Sequence, residues 1–322
     1  MKIFAGSNYE KLTDLIVEGL NETRLSNKRV SAGKLQIDYF SDGEILPLFR
    51  ESVRGEHIFF VNSTASSDEW METFLVLDAA KRSGCKKVTL ISPFQGYSRQ
   101  DKTDHLRSSV GARMCANLIE SFSDKNMNMD IVTLDLHSDS VTGFYDIPVI
   151  HLRGTKLFVD YIKKMNLKDI CIVAPDRGAA NRANKVHKKL KGSDLAIINK
   201  HRVEPNKVHS MDLIGDVKGK NVIIVDDMCD TAGTLSKAAD LLLKNGAKSV
   251  RAMTSHGILS GDSLVNIENS KLEYLMVFDT ISSVYEKENK CSKLKIVTCA
   301  SMLSDSINAL SNHKSISTIN GD

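Results

Sequence analysis

The sequence predicts an α/β protein of two domains, each a mostly parallel sheet flanked by helices. Three observations carry that expectation. The chain has 322 residues, beyond the length at which a single core ordinarily stops growing. Short β-branched runs alternate along it with amphipathic stretches, the rhythm of parallel strands joined by crossover helices. A unit of strand, loop, helix, glycine and strand occurs twice, the mark of an internal duplication.

Strands are expected in order at residues 58–61, 88–91, 131–134, 170–173, 195–198, 222–225 and 274–278. One helix opens at Ser66-Ser67-Asp68-Glu69, where a hydroxyl followed three residues later by glutamate forms a capping box. Trp70, Phe74 and Leu77 share its apolar face, and Gly84 ends it, since glycine accepts the left-handed turn that closes a helix. A second helix runs from Thr234 to Gly246 with Leu235, Ala238, Ala239 and Leu242 as its stripe. The repeats begin at Gly55 and Gly219 and differ in the chemistry of the loop after the first strand. The first copy has Asn62-Ser63-Thr64 there; the second has Asp226-Asp227-Met228-Cys229-Asp230-Thr231-Ala232-Gly233-Thr234. The expected domains are 1–150 and 151–305, with 306–322 completing the first.

A formal net charge of +3, with 42% apolar and 26% charged residues, describes an ordinary globular chain rather than a disordered segment or a nucleic-acid wrapper. The six cysteines fall in no CxxC or zinc-type spacing, which predicts free thiols in a reducing compartment. The start MKIFAGSNYEKL has no signal-peptide core, and no uninterrupted apolar run is long enough to span a bilayer. The expectation is a cytoplasmic protein serving small anionic molecules, with neither nucleic acid nor membrane as partner.

The apolar run 222–225 leads straight into Asp226 and Asp227, placing two carboxylates at the carboxyl end of a parallel strand, where open α/β sheets bind ligands. Residues 230–234 are small or hydroxylated and precede a helix, so backbone N–H groups and the positive helix end can converge on a phosphate. A sugar phosphate satisfies both halves, its hydroxyls donating to the carboxylates while its phosphate meets the helix. These residues by themselves also fit a strand-end turn followed by a helix cap.

VDDMCDTAGTL (225–235) resembles the signature of the type I phosphoribosyltransferase fold, shared by phosphoribosyltransferases and class I ribose-phosphate pyrophosphokinases. FSDGE (40–44), GYSRQD (96–101), DLHSDSVTGFYDIP (135–148) and PDRGAANRA (175–183) are similar to successive pyrophosphokinase blocks in the correct order. The resemblance implies two tandem type I phosphoribosyltransferase-like domains. It also implies a magnesium-dependent enzyme that passes the diphosphoryl group of ATP to the anomeric hydroxyl of ribose 5-phosphate. Under it, Phe40 stacks on adenine, Asp42 and Glu44 read its polar edge, and Arg99, Gln100, Asp101 and His137 contact the nucleotide. His137 and Asp176 are the implied magnesium ligands. Asp226, Asp227, Asp230, Thr231, Ala232, Gly233 and Thr234 hold ribose 5-phosphate, while Lys200 and Arg202 bring positive charge from a polar, irregular flap at 200–215. Neither GxxxxGK[ST] nor GxGxxG is present, so ATP would bind without the commonest phosphate loops.

The same resemblance implies a homo-oligomer, a hexamer built from dimers, activated by inorganic phosphate and inhibited by ADP through Ser52, Arg54, Arg107, Ser315 and Ser317. Departures from the family pattern stand at Ala179, where glycine is usual, at Glu204, which replaces a positive charge, and at Ile150, where an acidic residue is frequent. They leave open a catalytically impaired regulatory subunit, and the 226–234 loop alone would also suit a phosphoribosyltransferase.

Overall fold

A computed structural model describes residues 1–22, 29–103, 105–204 and 207–320, with the backbone alone over 200–204 and 207–211. The chain divides into two compact units, Met1–Arg153 with Thr298–Asp322, and Gly154–Val297.

The first unit comprises β1 (Lys2–Ala5), α1 (Glu10–Glu22), β2 (Leu35–Tyr39), β3 (Ile45–Phe49), β4 (His57–Val61), α2 (Ser67–Arg82), β5 (Lys87–Ile91), α3 (Gly111–Glu120), β6 (Asn128–Leu134) and β7 (Val149–Leu152). Its parallel sheet has the order β1-β4-β5-β6-β7, and β2 and β3 form a separate antiparallel hairpin. HIFFV and KVTLI are almost wholly buried, as strands covered by helices on both faces must be. Ile58, Phe60, Val88 and Leu90 join Trp70, Val76, Leu77 and Ala80 of α2 in one core. The expected capping box is present: Ser66 Oγ accepts the Glu69 N–H at 3.2 Å, and Glu69 Oε2 accepts the N–H groups of Ser66 at 3.1 Å and Ala65 at 2.7 Å. Gly84, at φ 77°, turns the chain out of the helix. At the start of β4, His57 Nε2 lies 2.8 Å from Thr89 Oγ1; burial and then the Lys87 charge pull the imidazole pKa down to about 4.

The second unit comprises α4 (Thr155–Lys164), β8 (Ile170–Ala174), α5 (Ala180–Lys189), β9 (Asp194–Glu204), β10 (Lys207–Ile214), β11 (Asn221–Cys229), α6 (Gly233–Lys244), β12 (Ser249–Gly257), α7 (Ser263–Asn269), β13 (Leu275–Phe278), α8 (Val284–Glu288) and β14 (Leu294–Val297). Its sheet has the order β10-β9-β8-β11-β12-β13-β14, parallel except for the β9/β10 pair. Leu235, Ala238, Ala239 and Leu242 pack against the sheet as the α6 stripe predicts. From β8 the chain steps to β9 on one side and returns to lay β11 on the other. Such a reversal opens a crevice at the carboxyl ends of the two strands. The described strands of the first sheet are laid down in one direction, from β1 to β7, without that reversal.

Two expectations need correction. The 200–215 segment is not irregular: β10 folds back on β9, pairing Met211 with Lys200 and Val208 with Arg202, with register shifts near Val208. An extended excursion in water satisfies its backbone groups by pairing with itself, whatever its side-chain polarity. The second domain also ends sooner than residue 305, because the first unit recovers the chain from Thr298. Helix α9 (Ala300–Ser311) buries Met302, Leu303 and Ile307, whereas α1 buries Leu12, Ile16 and Leu20. The two helices meet so closely that a methyl group on Gly19 would lie 2.7 Å from Ser304 Oγ. A short α10 (Ser317–Asn320) follows, and Asn320 Oδ1 accepts the Arg153 N–H at 2.9 Å. All six cysteines are buried and free. Among the described residues no helix is long and apolar enough to cross a membrane.

Candidate active site

The carboxylates of the second unit stand where the sheet loses a neighbour. β11 pairs with β8 only as far as Ile224 opposite Val173, but stays paired with β12 to Cys229 opposite Gly257. Asp226 and Asp227 are therefore inside a longer strand than expected, on the stretch that borders the crevice alone. Asp227 is buried and donates its N–H to Asp226 Oδ1 at 2.9 Å. Burial, and then the negative charges of Asp227 and Asp176, push the Asp226 carboxyl well above the usual carboxylate range.

Asp176 follows β8, and its Oδ1 accepts the Ala179 N–H at 3.2 Å, which steers the chain into α5. Ala179 sits at φ −79° and ψ −8° with its methyl buried. That is ordinary helical backbone, which makes no demand for glycine.

The phosphate-type loop ends in an open helix terminus. Ala232 adopts φ 61° and makes no side-chain cap, a left-handed conformation that an L-residue holds only under constraint. Its carbonyl accepts the Ser236 N–H and hydroxyl, both at 3.0 Å. Thr231 and Thr234 are exposed, and a methyl group on Gly233 would find nothing nearer than Thr231 Oγ1 at 3.9 Å. The N–H groups of the first turn of α6 thus face open space with the positive end of the helix dipole behind them, a fit for an anion. The first unit closes the equivalent place, because Glu69 occupies the amino end of α2 with its own carboxylate.

In the first unit, Tyr39 opposite Ile45 closes the β2–β3 hairpin, leaving 40–44 as its tip. The Phe40 N–H donates to the Glu44 carbonyl at 2.8 Å and the Glu44 N–H to Asp42 Oδ1 at 3.1 Å. This small turn presents the Phe40 ring at 53% exposure, with Asp42 and Glu44 exposed beside it. Arg99 and Gln100 are exposed and Asp101 half-buried after a turn in which the Gln100 N–H donates to the Tyr97 carbonyl at 2.9 Å. His137 is exposed just beyond β6, after Asp135 at φ 40° and Leu136, whose N–H donates to His151 Nε2 at 2.8 Å. Ser52 and Arg54 share one exposed turn, Arg107 stands exposed at φ 66°, and the hydroxyls of Ser315 and Ser317 lie 2.9 Å apart in another turn. The side chains of Lys200, Arg202 and Glu204 lie outside the described ones, as do residues 205–206 altogether.

Among the described residues, no three His, Cys, Asp or Glu side chains converge tightly enough to hold a metal ion by themselves. The mutual repulsion felt at Asp226 nevertheless marks a donor set that a hard divalent cation relieves, with water and phosphate oxygens completing its shell. Of the two implied ligands, Asp176 stands in surroundings that fit magnesium on that ground.

Sequence reasoning missed the support around these groups: His151 behind the His137 turn, and the segment after β12, with Asn266 of α7, that braces residues 229–231.

Residues 1–122 match the N-terminal domain of ribose phosphate pyrophosphokinase, and residues 140–289 match the phosphoribosyl transferase domain. The chain is 38% identical over 319 residues to a ribose-phosphate pyrophosphokinase of Porphyromonas gingivalis, covering 98% of this chain and 96% of that one. It is 36% identical over 321 residues to the enzyme of that name from Bacillus caldolyticus, covering 99% and 97%. The crystal structure of phosphoribosylpyrophosphate synthetase from Mycobacterium smegmatis superposes with a TM-score of 0.85 at 33% identity, over 97% of this chain and 99% of that one. With its carboxylate crevice and open helix end carried on a likeness that runs nearly from end to end, the chain belongs to the ribose-phosphate pyrophosphokinase family.

Proposed function

We propose that the chain is a ribose-phosphate diphosphokinase. The anomeric oxygen of ribose 5-phosphate attacks the β-phosphorus of ATP in line, the bond to the oxygen bridging the α- and β-phosphorus breaks, and AMP leaves as 5-phospho-α-D-ribose 1-diphosphate forms. The observation that carries the reading is the sequence of two crevice carboxylates and an uncapped helix end within nine residues, 226–234, of a chain similar to pyrophosphokinases over almost its whole length.

Asp226 and Asp227 accept hydrogen bonds from the ribose hydroxyls, and the N–H groups of Gly233 and Thr234 with the hydroxyls of Thr231 and Thr234 hold the 5-phosphate; Asp230 and Ala232 shape that loop. Phe40 supplies a stacking face for adenine, with Asp42 and Glu44 at its polar edge, and Arg99, Gln100 and Asp101 line the nucleotide. His137 and Asp176 are the residues to hold magnesium, which when bound neutralises charge on the transferring phosphates. Lys200 and Arg202, on the outer part of β9, contribute positive charge as the transition state forms.

The working protein is a homo-oligomer, a hexamer in this reading, placed in the cytoplasm. Inorganic phosphate activates it through Ser52, Arg54, Arg107, Ser315 and Ser317. Incubation with ATP, ribose 5-phosphate, magnesium and phosphate, followed by phosphorus NMR, should reveal AMP and phosphoribosyl diphosphate together. Absence of both overturns the activity, and a rate flat against phosphate concentration removes the activator.

A further inference from the structure

The segment after β12 grips the phosphate-type loop at successive residues. The N–H groups of Ile258 and Leu259 donate to the Cys229 carbonyl at 3.0 and 3.1 Å, and the Ser260 N–H donates to the Asp230 carbonyl at 3.2 Å. The Ser260 hydroxyl donates to Asp230 Oδ1. From α7, Asn266 Nδ2 donates to the Thr231 carbonyl at 2.9 Å, while the Asn266 carbonyl accepts the Ser236 hydroxyl of α6 at 3.2 Å. Lys287, on α8, reaches across to the Ile258 carbonyl at 2.8 Å and holds the Ser283 hydroxyl at 3.1 Å. Consecutive residues 229, 230 and 231 are thus tied from one side, immediately before the left-handed Ala232.

We infer that Ser260, Asn266 and Lys287 are positioning residues that set residues 229–232, and with them the aim of the α6 N–H groups, before a sugar phosphate arrives. A left-handed alanine keeps its conformation only when its surroundings impose it. The hydrogen bonds on the three residues ahead of it, with Ser236 holding its own carbonyl, are the surroundings that do so. Lys287 acts at one remove, fixing the carbonyl of Ile258 and so the start of the bracing segment. A loop fixed in advance binds its anion without an ordering cost. Sequence alone gives no hint of this, since Ser260 lies thirty positions beyond Asp230.

The inference rests on reading 226–234 as the ribose 5-phosphate site, so the test separates the two. Wild type, Ser260→Ala, Ser260→Thr and Asn266→Ala are compared by steady-state kinetics in each substrate and by calorimetry of ribose 5-phosphate binding in magnesium. Loss of one hydrogen bond to a charged group predicts that Ser260→Ala raises KM and Kd for ribose 5-phosphate by roughly 10- to 100-fold. KM for ATP stays unchanged, and threonine restores the wild-type values. Asn266→Ala should give the same split between substrates. Ser260 is exposed, so its variants should melt like wild type, and Asn266→Ala carries the test if they do not. Equal rises for both substrates, an unchanged KM for ribose 5-phosphate, or failure of threonine to rescue overturns the positioning role while leaving the activity standing. A wild-type protein that neither binds nor converts ribose 5-phosphate overturns the functional reading itself, and this inference with it.

Discussion

Asp226 is held against its own chemical preference. Burial and the neighbouring charges of Asp227 and Asp176 raise its pKa, so ionising it costs the unliganded fold free energy that a bound ligand or cation offsets. Asp226→Asn removes that repulsion and should stabilise the unliganded protein by about 1 kcal/mol in urea titration, while turnover falls on the order of 100-fold or more. A variant that is both less stable and fully active would contradict the role given to this group. His57 makes a second prediction, with the opposite linkage from the usual histidine. Its folded pKa is about 4 against an ordinary 6.5, so between those values the unfolded chain binds the extra proton. Its contribution is complete above pH 6.5 and is lost as pH falls towards 4. The urea midpoint should drop between pH 7.5 and pH 5, and His57→Gln should narrow that drop; an identical drop in both proteins refutes the assignment.

At the scale of elements, the β9–β10 ribbon carries Lys200 and Arg202 at backbone positions paired with Met211 and Val208. If this ribbon delivers charge during transfer, Lys200→Ala should lower kcat by on the order of 100- to 1000-fold with little change in KM for ATP. Near wild-type turnover would remove Lys200 from the mechanism. The ribbon also marks the limit of what the sequence discloses. The seven strands legible as apolar runs lie inside β4, β5, β6, β8, β9, β11 and β13, bar Tyr274 just before β13, because strands covered on both faces need unbroken hydrophobicity. β10 reads KVHSMDLI, without an unbroken apolar run, and is held by antiparallel pairing with β9 and by Leu213 packed against the core. β2 and β3 were likewise invisible, since their residues are mostly half-buried and Pro47 interrupts the run. Asp226 and Asp227 were legible because carboxylates directly after four buried residues mark where a strand leaves the covered core, although β11 itself runs on to Cys229. The braces on residues 229–231 come from distant parts of the chain and leave no spacing to read.

The whole molecule is two units of which one is made from both ends of the chain. Trp70, the single tryptophan and 4% exposed in the first unit's core, offers a probe of that unit alone. Leu303 is fully buried in α9, so Leu303→Ala should cost about 2–5 kcal/mol and move the tryptophan fluorescence transition in urea to lower concentration. The signal reports the first unit, although Leu303 lies more than two hundred positions beyond Trp70. An unshifted fluorescence transition would show that the returning helix is dispensable to that unit.

The late return of α9 to α1 also sets an order of events during synthesis. A ribosome delivers α1 well before its packing partner α9, with the whole second unit emerging between them. The later-encoded body can therefore finish its core while the earlier one still waits with the α1 face bare, a reversal of the usual vectorial sequence in which the leading domain matures first.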